Sequence, residues 1–412
     1  MNGIRMTGVA VLFLSVSSCL VLQGRAQQDK SEVLSSQIRQ ASLLGQQAKF
    51  AEAEEAWKGV IKSDPRNAMA YAQLGLTEAR EEKYAEAVAS YRKAKGLNPA
   101  IPQLNLNLGL ALFKSHCYPE AASLFDAEQK KAPGNQRLAI LAGMSHYGAR
   151  QYGEASVYLK EAVAIDPRNL ELLLTLGHCY LWTKQFDAAL GVYKQILLIN
   201  PDSAEADMIA GEALDEKGDA GGAVQQFRAA VRANPKEPNV HFGLAYLLWT
   251  LKHYEEAVPE FLTELQNDPR NYQAMIYLGD TYVRIAAYDK AGEILRKAAA
   301  SQSSVSLIHL DLGIVYQETG DNDHAVRELK ETVRMEPDNV NAHFRLAQIY
   351  RATGKKDQAK VEFTKARSLN QKTDAGVFKR IEEAGDRPGP AGTGTAADPQ
   401  AAPAKPATPE QP

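Results

Sequence analysis

Small and large apolar residues recur along this chain with a period of 34 residues. Ten consecutive segments of that length fit without an insertion, the first beginning at Leu34 and the last at Val340. Place eight of every segment is glycine or alanine, place twenty is alanine, and place twenty-four is large and apolar. A small residue opposite a bulky one lets two helices approach closely and pack. The pattern therefore predicts a helix, a short turn and a second helix in each of ten repeats.

A proline closes most of the repeats at place thirty-two. Proline cannot continue a helix, because it lacks the backbone N–H and crowds the preceding turn. We therefore expect the second helix of each repeat to end there. No stretch of the chain alternates apolar and polar residues as a half-buried strand does, so the predicted class is all-α. The prolines at this place are Pro65, Pro99, Pro133, Pro167, Pro201, Pro235, Pro269 and Pro337, with Ser303 and Gln371 in the remaining two repeats.

The chain resembles the tetratricopeptide repeat (TPR) family at five places of the repeat. These are leucine or alanine at place seven, glycine at eight, alanine at twenty, an aromatic residue at twenty-four and proline at thirty-two. The resemblance covers residues 34–371. It implies one domain, a right-handed α-solenoid of about ten helix-turn-helix repeats that binds an extended partner on its concave face. The chain departs from the family at place four, where His241, His309 and His343 replace a large residue.

The two ends of the chain differ from the repeats in composition. Residues 1–26 contain a basic start at Arg5, an apolar run from Val9 to Leu22 and then Gly24-Arg25-Ala26, which is typical of a secretory signal peptide cleaved after Ala26. Residues 372–385 predict a helix that caps the last repeat. Residues 386–412 are rich in proline and alanine and contain no aromatic or branched aliphatic residue, so we expect a disordered tail there.

A second interpretation of the N-terminus stays open. Val16-Ser17-Ser18-Cys19 resembles the lipobox of bacterial lipoproteins, in which the cysteine is lipidated and becomes the mature N-terminus. In that case Cys19 anchors an outer-membrane lipoprotein. Both interpretations predict an exported protein of the periplasm or cell envelope. No later stretch is apolar enough to predict an integral membrane span.

Charge narrows the class of partner. The formal net charge is −3, and it becomes −5 when Arg5 and Arg25 leave with the signal peptide. A chain with this balance has no basic excess to neutralise phosphates, so nucleic acid is not an expected partner. We expect protein or peptide partners instead.

The resemblance also implies which side chains face the concave groove, namely those at places two, five, nine, twelve and thirteen of each first helix. In repeats three, four, five and seven these places carry large apolar and aromatic residues, which recognition surfaces enrich. The alternative is that some of them pack against the neighbouring repeat. The predicted groove residues of this kind are Phe113, Met144, Tyr147, His178, Trp182, Phe242, Tyr246 and Trp249.

Repeat six interrupts this apolar track with acidic residues at the groove places. They are Glu205, Glu212, Asp215 and Glu216. Half-buried carboxylates favour a cationic partner, so a ligand with apolar anchors around a basic residue would fit, and a solvated acidic face is the alternative. Some family members clamp a ligand's C-terminal carboxylate with an asparagine at place nine. No repeat of this chain has asparagine there, so that mode of binding is not expected.

Motifs for catalysis and for cofactor binding are missing from the sequence. It contains no zinc-protease His-Glu-x-x-His helix, no phosphate loop and no nucleophile elbow, so we expect neither an enzyme nor a bound cofactor. His309 and His343 occupy place four of consecutive repeats. Neighbouring repeats lie about one helix-packing distance apart, ~8–10 Å, which is too far for direct chelation of one metal ion. We expect these histidines to serve in packing.

These features favour a non-catalytic protein–protein interaction scaffold or adaptor of the periplasm or cell envelope. One alternative is a lipid-anchored assembly factor of an envelope machine, such as a pilus, a secretin or an outer-membrane export system, with Cys19 as the discriminating residue. Another is a recruiting subunit of a carbohydrate-active enzyme, because the family often accompanies such enzymes. That role requires a separate catalytic chain, since too few residues lie outside the repeats to form a catalytic domain.

Overall fold

Twenty α-helices follow one another from residue 31 to residue 385 in the computed structural model of the protein, and no strand occurs in that range. The structure describes the backbone of residues 31–385 and the side chains of residues 31–371. The predicted signal peptide of residues 1–26, with Cys19, and the predicted tail of residues 386–412 lie outside the described residues. Within them, the predicted all-α class and the helix-turn-helix repeat are confirmed.

The helices fall into two compact units, an N-terminal unit that ends at Ile199 and a C-terminal unit that begins at Asn200. Each unit contains five helical hairpins, and each hairpin is one 34-residue repeat. The N-terminal unit comprises α1 (31–46), α2 (Phe50–Ser63), α3 (Ala68–Arg80), α4 (Tyr84–Leu97), α5 (Leu104–Lys114), α6 (Tyr118–Lys131), α7 (Gln136–Gly148), α8 (Tyr152–Ile165), α9 (Leu170–Trp182) and α10 (Phe186–Leu197). The C-terminal unit comprises α11 (Ala204–Glu216), α12 (Ala220–Ala233), α13 (Val240–Thr250), α14 (Tyr254–Asn267), α15 (Tyr272–Arg284), α16 (Tyr288–Ser301), α17 (Ser306–Glu318), α18 (Asn322–Met335), α19 (Val340–Ala352) and α20 (Lys356–Gly385).

Local signals explain where the helices begin and turn. Most first helices follow an asparagine or serine whose side chain accepts a hydrogen bond from the third helical N–H, as Asn169 does from Leu172. The turn between the two helices of each repeat has one residue with positive φ at place fifteen. Gly218 fills this place in repeat six, whereas Arg150 and Lys184 adopt the same left-handed backbone without glycine's freedom.

The core of each repeat forms where the small residue at place eight meets the bulky residue at place twenty-four. A Cβ added to Gly109 would lie only 2.8 Å from the ring of Phe125, and one added to Gly143 would lie 2.8 Å from Leu159. Phe125 and Leu159 are fully buried. The predicted packing of small against large residues is confirmed, and it fixes the pairing of the two helices in a hairpin.

The last helix differs from the prediction. α20 runs without a break from Lys356 to Gly385, so residues 372–385 continue the second helix of repeat ten instead of forming a separate element. Gln371 stands where most other repeats have proline, and its backbone N–H lets the helix continue. Whether residues 372–385 cap the repeats stays a prediction, because their side chains lie outside the described ones. No helix in the described range is long and apolar enough to cross a membrane.

Candidate interaction surface

Five predicted groove residues lie on the first helices of three consecutive repeats in the N-terminal unit. Phe113 is on α5, Met144 and Tyr147 are on α7, and His178 and Trp182 are on α9. The first four are half-buried, whereas 47% of the Trp182 surface is exposed. A large aromatic side chain offers much contact area at a low cost in conformational entropy, which is why recognition surfaces enrich it. Trp182 therefore has the properties of an anchor residue.

The exposed indole of Trp182 packs against Tyr152. Their ring centroids lie 5.3 Å apart and the ring planes are 13° from parallel. Tyr152 also meets Tyr147 edge to face, with centroids 5.6 Å apart. Partial burial raises the pKa of the Tyr152 phenol, so the hydroxyl keeps its proton and can donate a hydrogen bond. Tyr152 thus supports the indole in a defined orientation, and Tyr147 packs against Tyr152.

A related arrangement occurs one repeat earlier. Phe113 meets Tyr118 edge to face with ring centroids 5.4 Å apart. The Tyr118 ring lies against Gly148 of the following repeat, where an added Cβ would be 2.7 Å from the ring. Tyr118 thus bridges repeats three and four, as Tyr152 bridges repeats four and five. We call this set the aromatic row: Phe113, Tyr118, Tyr147, Tyr152 and Trp182.

Tyr118 and Tyr152 are not among the predicted groove residues. Each is the first residue of a second helix, at place seventeen, whereas the prediction considers only first helices. A signal for them exists in the sequence, because place seventeen is aromatic in most repeats. The aromatic residues at this place are Phe50, Tyr84, Tyr118, Tyr152, Phe186, Tyr254 and Tyr288.

Apolar side chains extend the aromatic row along α5 and α7. Groove residues on these helices are spaced by four and then three positions, which places them on one helix face. All of them are half-buried, so part of each remains accessible. The residues with this spacing are Leu106, Leu110 and Phe113 on α5, and Ile140, Met144 and Tyr147 on α7.

The three aromatic residues predicted in repeat seven, Phe242, Tyr246 and Trp249, are buried. Only 6% of Trp249 is exposed, and its indole N–H donates to the carboxylate of Asp280 at 2.6 Å. The ring of Tyr277 lies 5.0 Å from the rings of both Tyr246 and Trp249. The prediction that these three residues are accessible anchors is therefore wrong. Tyr277 stands at place six of the next repeat, outside the groove places, so the groove pattern does not reveal that it covers them.

Buried charges in the C-terminal unit belong to the packing of its helices. Arg284 donates to Asp280 with an Nε–Oδ1 distance of 3.2 Å, and both side chains start from α15. Asp311 on α17 is also buried, and its burial and the charge of Asp280 raise the pKa of its carboxyl well above the usual range. Arg284 and Arg345 oppose this rise. Burial therefore favours the protonated form of Asp311 more than it would for an exposed carboxyl.

The four predicted acidic residues of repeat six all lie on α11. Glu205, Glu212 and Asp215 are half-buried, and Glu216 is exposed. Glu205 stands in the first turn of the helix, where the helix dipole stabilises a negative charge. Asp215 and Glu216 stand in the last turn, where the same dipole is unfavourable to them.

The place-four histidines pair with glutamates of their own repeats. His309 and His343 lie 2.7 and 2.6 Å from Glu328 and Glu362 through Nδ1. The Nε2 atom of His309 lies 3.0 Å from the Ser303 carbonyl oxygen, and that of His343 contacts the Pro337 carbonyl at 2.9 Å. These contacts join each first helix to its second helix and to the preceding loop. Among the described residues, no group of three His, Cys, Asp or Glu side chains could hold a metal ion.

Comparison with known proteins identifies the family. Models of the tetratricopeptide repeat match residues 38–102, 146–212, 240–305 and 310–363. The chain belongs to the tetratricopeptide repeat family. The family predicted from the repeated residues is therefore confirmed.

Individual relatives of this TPR protein match it over parts of its length. Anaphase-promoting complex subunit 3 of Schizosaccharomyces pombe is 28% identical over 156 residues, which are 38% of this chain and 24% of that protein. The chain therefore spans about a quarter of the length of that relative.

One similar solved structure is YrrB, which is described as a TPR protein with an unusual peptide-binding site. It is 22% identical to this chain with a TM-score of 0.38, and the match covers 44% of this chain and 94% of YrrB. The Cut9–Hcn1 hetero-tetramer is 13% identical with a TM-score of 0.47 and covers 75% and 74% of the two chains. Pseudomonas aeruginosa pilF is 17% identical with a TM-score of 0.43, and the match covers 51% of this chain and 98% of pilF.

Proposed function

We propose that the protein is a non-catalytic scaffold that binds peptide or partner-protein segments on the aromatic row of its N-terminal unit. TPR proteins generally mediate protein–protein interactions, and this chain belongs to that family. The observation that carries the proposal is the half-exposed indole of Trp182 stacked on Tyr152. An aromatic side chain that is already oriented loses little entropy when a partner covers it, so its contact area contributes to affinity.

The acidic residues of α11, in the C-terminal unit, are a separate element of the proposal. Their carboxylates favour a partner that carries lysine or arginine, because opposite charges raise the association rate and disfavour acidic competitors. Glu216 is exposed and stands in the last turn of α11, where a cation is also favoured by the helix dipole. Capture of such a partner weakens with added salt, since salt screens exposed charges.

We propose further that the protein acts in the periplasm or cell envelope. Support comes from the basic start, apolar run and Gly24-Arg25-Ala26 of residues 1–26. Sequencing the N-terminus of the purified native protein tests this directly, with Gln27 expected as the first residue. Incorporation of labelled palmitate that is lost in Cys19→Ala would instead favour the lipid-anchored alternative.

Crosslinking in cell-envelope extract, followed by mass spectrometry, tests the scaffold proposal. Wild-type protein and Trp182→Ala are each used as bait. We expect partners that are enriched with the wild type to be lost with Trp182→Ala, because the substitution removes the exposed anchor and leaves the fully buried core residues in place. Helical content and thermal unfolding of the variant are recorded in parallel to show that it is folded.

Leu198→Ala is the matched control. Leu198 is 86% exposed in the N-terminal unit and follows α10, outside the aromatic row. This variant removes an exposed apolar side chain and should retain the same partners. Equal capture by wild type and by folded Trp182→Ala would show that the aromatic row is not the binding surface.

A further inference from the structure

One exposed lysine or arginine stands next to the aromatic row in each of its three repeats. They are Lys114 in repeat three, Arg150 in repeat four and Lys184 in repeat five. Each is within two residues of a member of the row in the sequence. We call these three residues the basic border. The stretches that contain both sets, 113–118, 147–152 and 181–186, have no acidic residue.

The repeat geometry brings the basic border to the same end of the hairpins as the aromatic row. Lys114 is the last residue of α5 and Trp182 is the last residue of α9, so both stand at place thirteen of a first helix. Arg150 and Lys184 both occupy place fifteen, with φ of 59° and 57°. Places twelve to seventeen surround the turn between the two helices of a repeat. Lys114 therefore holds in repeat three the position that the indole of Trp182 holds in repeat five.

The charges of the basic border are available to a ligand or act on the rings. Among the described residues, Lys114 and Lys184 have no ion pair and no contact with an aromatic ring. Burial raises the pKa of the Tyr152 phenol, and the positive charge of Arg150 opposes this rise. Arg150 thus acts electrostatically on one ring of the row. A positive potential therefore borders the row.

The acidic residues nearest to the basic border in sequence belong to second helices. Glu120 pairs with Arg92 of α4, the second helix of the preceding repeat. Glu154 stands at the same place of repeat four, and Asp187 is in the first turn of α10. The charge of Glu120 is therefore offset by Arg92 and not by the basic border.

The basic border decides between two ligand chemistries that aromatic rings accept. Indole and phenol rings bind apolar side chains, and their negative faces also bind cations such as lysine and arginine. The positive charges of the border disfavour a cationic ligand, because like charges repel. They favour a carboxylate, and the protonated Tyr152 hydroxyl is a further donor to it.

Single-stranded nucleic acid is another ligand that combines negative charge with stacking on aromatic rings. The charge of the whole chain opposes it, because a formal net charge of −3 repels a polyanion. A protein segment needs only a carboxylate or two beside an apolar side chain. Three basic residues around one exposed indole match that smaller requirement.

We propose that the aromatic row selects a partner-protein segment in which aspartate or glutamate lies beside a large apolar residue. The apolar side chain covers Trp182, and the carboxylates interact with the basic border, chiefly with Lys114 and Lys184. This proposal rests on the aromatic row being a binding surface, as proposed above. The acidic residues of α11 concern a different segment of a partner, because α11 belongs to the C-terminal unit.

Selection of phage-displayed random peptides on the immobilised full-length protein tests this preference. We expect the wild type to enrich peptides in which aspartate or glutamate lies next to an aromatic or large aliphatic residue. The charge-reversed variant, Lys114→Glu with Lys184→Glu, should enrich lysine and arginine instead. Circular dichroism of both proteins shows that they are folded. No acidic enrichment with the wild type, or the same peptides from both proteins, would overturn the proposal.

Lys93→Glu with Lys160→Glu is the matched control. Both lysines are exposed on second helices of the N-terminal unit, and neither has an ion pair among the described residues. This variant changes the net charge by the same amount as the charge-reversed variant. It should select the same peptides as the wild type. If it loses them, the overall charge and not the basic border determines the preference, and the proposal falls.

Fluorescence anisotropy with the most enriched peptide, carrying a label, measures the size of the effect. We expect the affinity to fall at least about tenfold when amides replace the carboxylates of the peptide. A similar loss is expected with Lys114→Gln and Lys184→Gln together in the receptor, and with Trp182→Ala. Added salt should weaken binding by the wild type more than binding by the glutamine variant, since salt screens exposed charges. Equal affinity for the carboxylate and amide peptides would refute the proposal.

A labelled single-stranded oligothymidine of about 12 nucleotides is the second probe, a length within the site sizes of single-strand binding domains. We expect no binding at protein concentrations that saturate the peptide. Binding of the oligonucleotide that is lost in the charge-reversed variant would mean that the row takes single strands, and it would overturn the proposal.

This proposal and the scaffold proposal fail separately. If the selected peptides depend on Trp182 but show no preference for acidic residues, the basic border takes no part in recognition and the scaffold proposal stands. The same holds if no selected peptide depends on Trp182 while partners from envelope extract do. If neither the peptides nor the extracted partners depend on Trp182, both proposals fall.

Discussion

The indole of Trp182 and the phenol ring of Tyr152 stack 5.3 Å apart, although they come from the last residue of one helix and the first residue of another. Tyr152 begins α8 of repeat four, and Trp182 ends α9 of repeat five. The stack therefore joins two repeats at the surface of the N-terminal unit. It also leaves about half of the indole uncovered, which distinguishes it from the buried Trp249.

The Tyr152–Trp182 stack should contribute modestly to the stability of the N-terminal unit. A double-mutant cycle with Tyr152→Ala and Trp182→Ala should give a coupling energy of about 0.5–1.5 kcal/mol, the usual value for an aromatic pair. Chemical denaturation of the four proteins measures it. A coupling energy near zero would mean that the two rings lie side by side without stabilising one another.

Replacing the buried Trp249 should have a much larger effect than replacing Trp182. Trp249→Ala leaves a cavity beside Tyr246 and Tyr277 and removes a hydrogen-bond donor from the buried carboxylate of Asp280. We expect a loss of about 3–5 kcal/mol in the free energy of unfolding, as for other buried aromatic residues. Thermal unfolding followed by circular dichroism tests which of the two variants is less stable. A smaller loss for Trp249→Ala than for Trp182→Ala would contradict the assignment of core and surface.

Two glycines of the N-terminal unit should respond to alanine with opposite signs. A Cβ on Gly109 would lie 2.8 Å from Phe125. Gly109→Ala should therefore lower the free energy of unfolding by about 1–3 kcal/mol, as overpacking of a core does. Gly191 lies inside α10 with nothing within 4 Å of an added Cβ. Gly191→Ala should stabilise by about 0.5–1 kcal/mol, because alanine is the better helix former. Urea titrations of both variants measure the difference, and equal effects would argue against the hairpin pairing.

The pair His309–Glu328 should make stability depend on pH. Burial lowers the pKa of His309, but the hydrogen bonds to Glu328 and to the Ser303 carbonyl, with the charges of Glu328 and Glu331, outweigh it and raise the pKa overall. The pair therefore makes its full contribution to the stability of the folded protein below about pH 6.5, the ordinary pKa of histidine. This contribution is lost as the pH rises through the raised pKa of His309.

Thermal midpoints of wild type and Glu328→Gln between about pH 6 and pH 8 measure this dependence around the ordinary histidine pKa. The wild type should be the more stable of the two at the acidic end, and the difference should shrink toward the alkaline end. Glutamine keeps the shape and an acceptor oxygen, so a difference that does not change with pH would show that the charge of Glu328 is not responsible.

The repeat itself could be predicted from the sequence because its packing is local. Gly109 and Phe125 are sixteen residues apart in one hairpin, and the small and large members of such pairs recur at fixed places. The groove prediction was less complete. It included Trp182, but it did not include Tyr152, and it treated Trp249 as accessible.

The sequence by itself determined the helix class, the length of each repeat and the family, since these depend on contacts within 34 residues. Only the tertiary structure decided which aromatic side chains are exposed. Tyr277 and Asp280 of one repeat cover Trp249 of the previous one, whereas about half of Trp182 remains uncovered. Exposure at a groove place depends on the size and direction of side chains in the next repeat, and the period of a sequence carries no information about that contact.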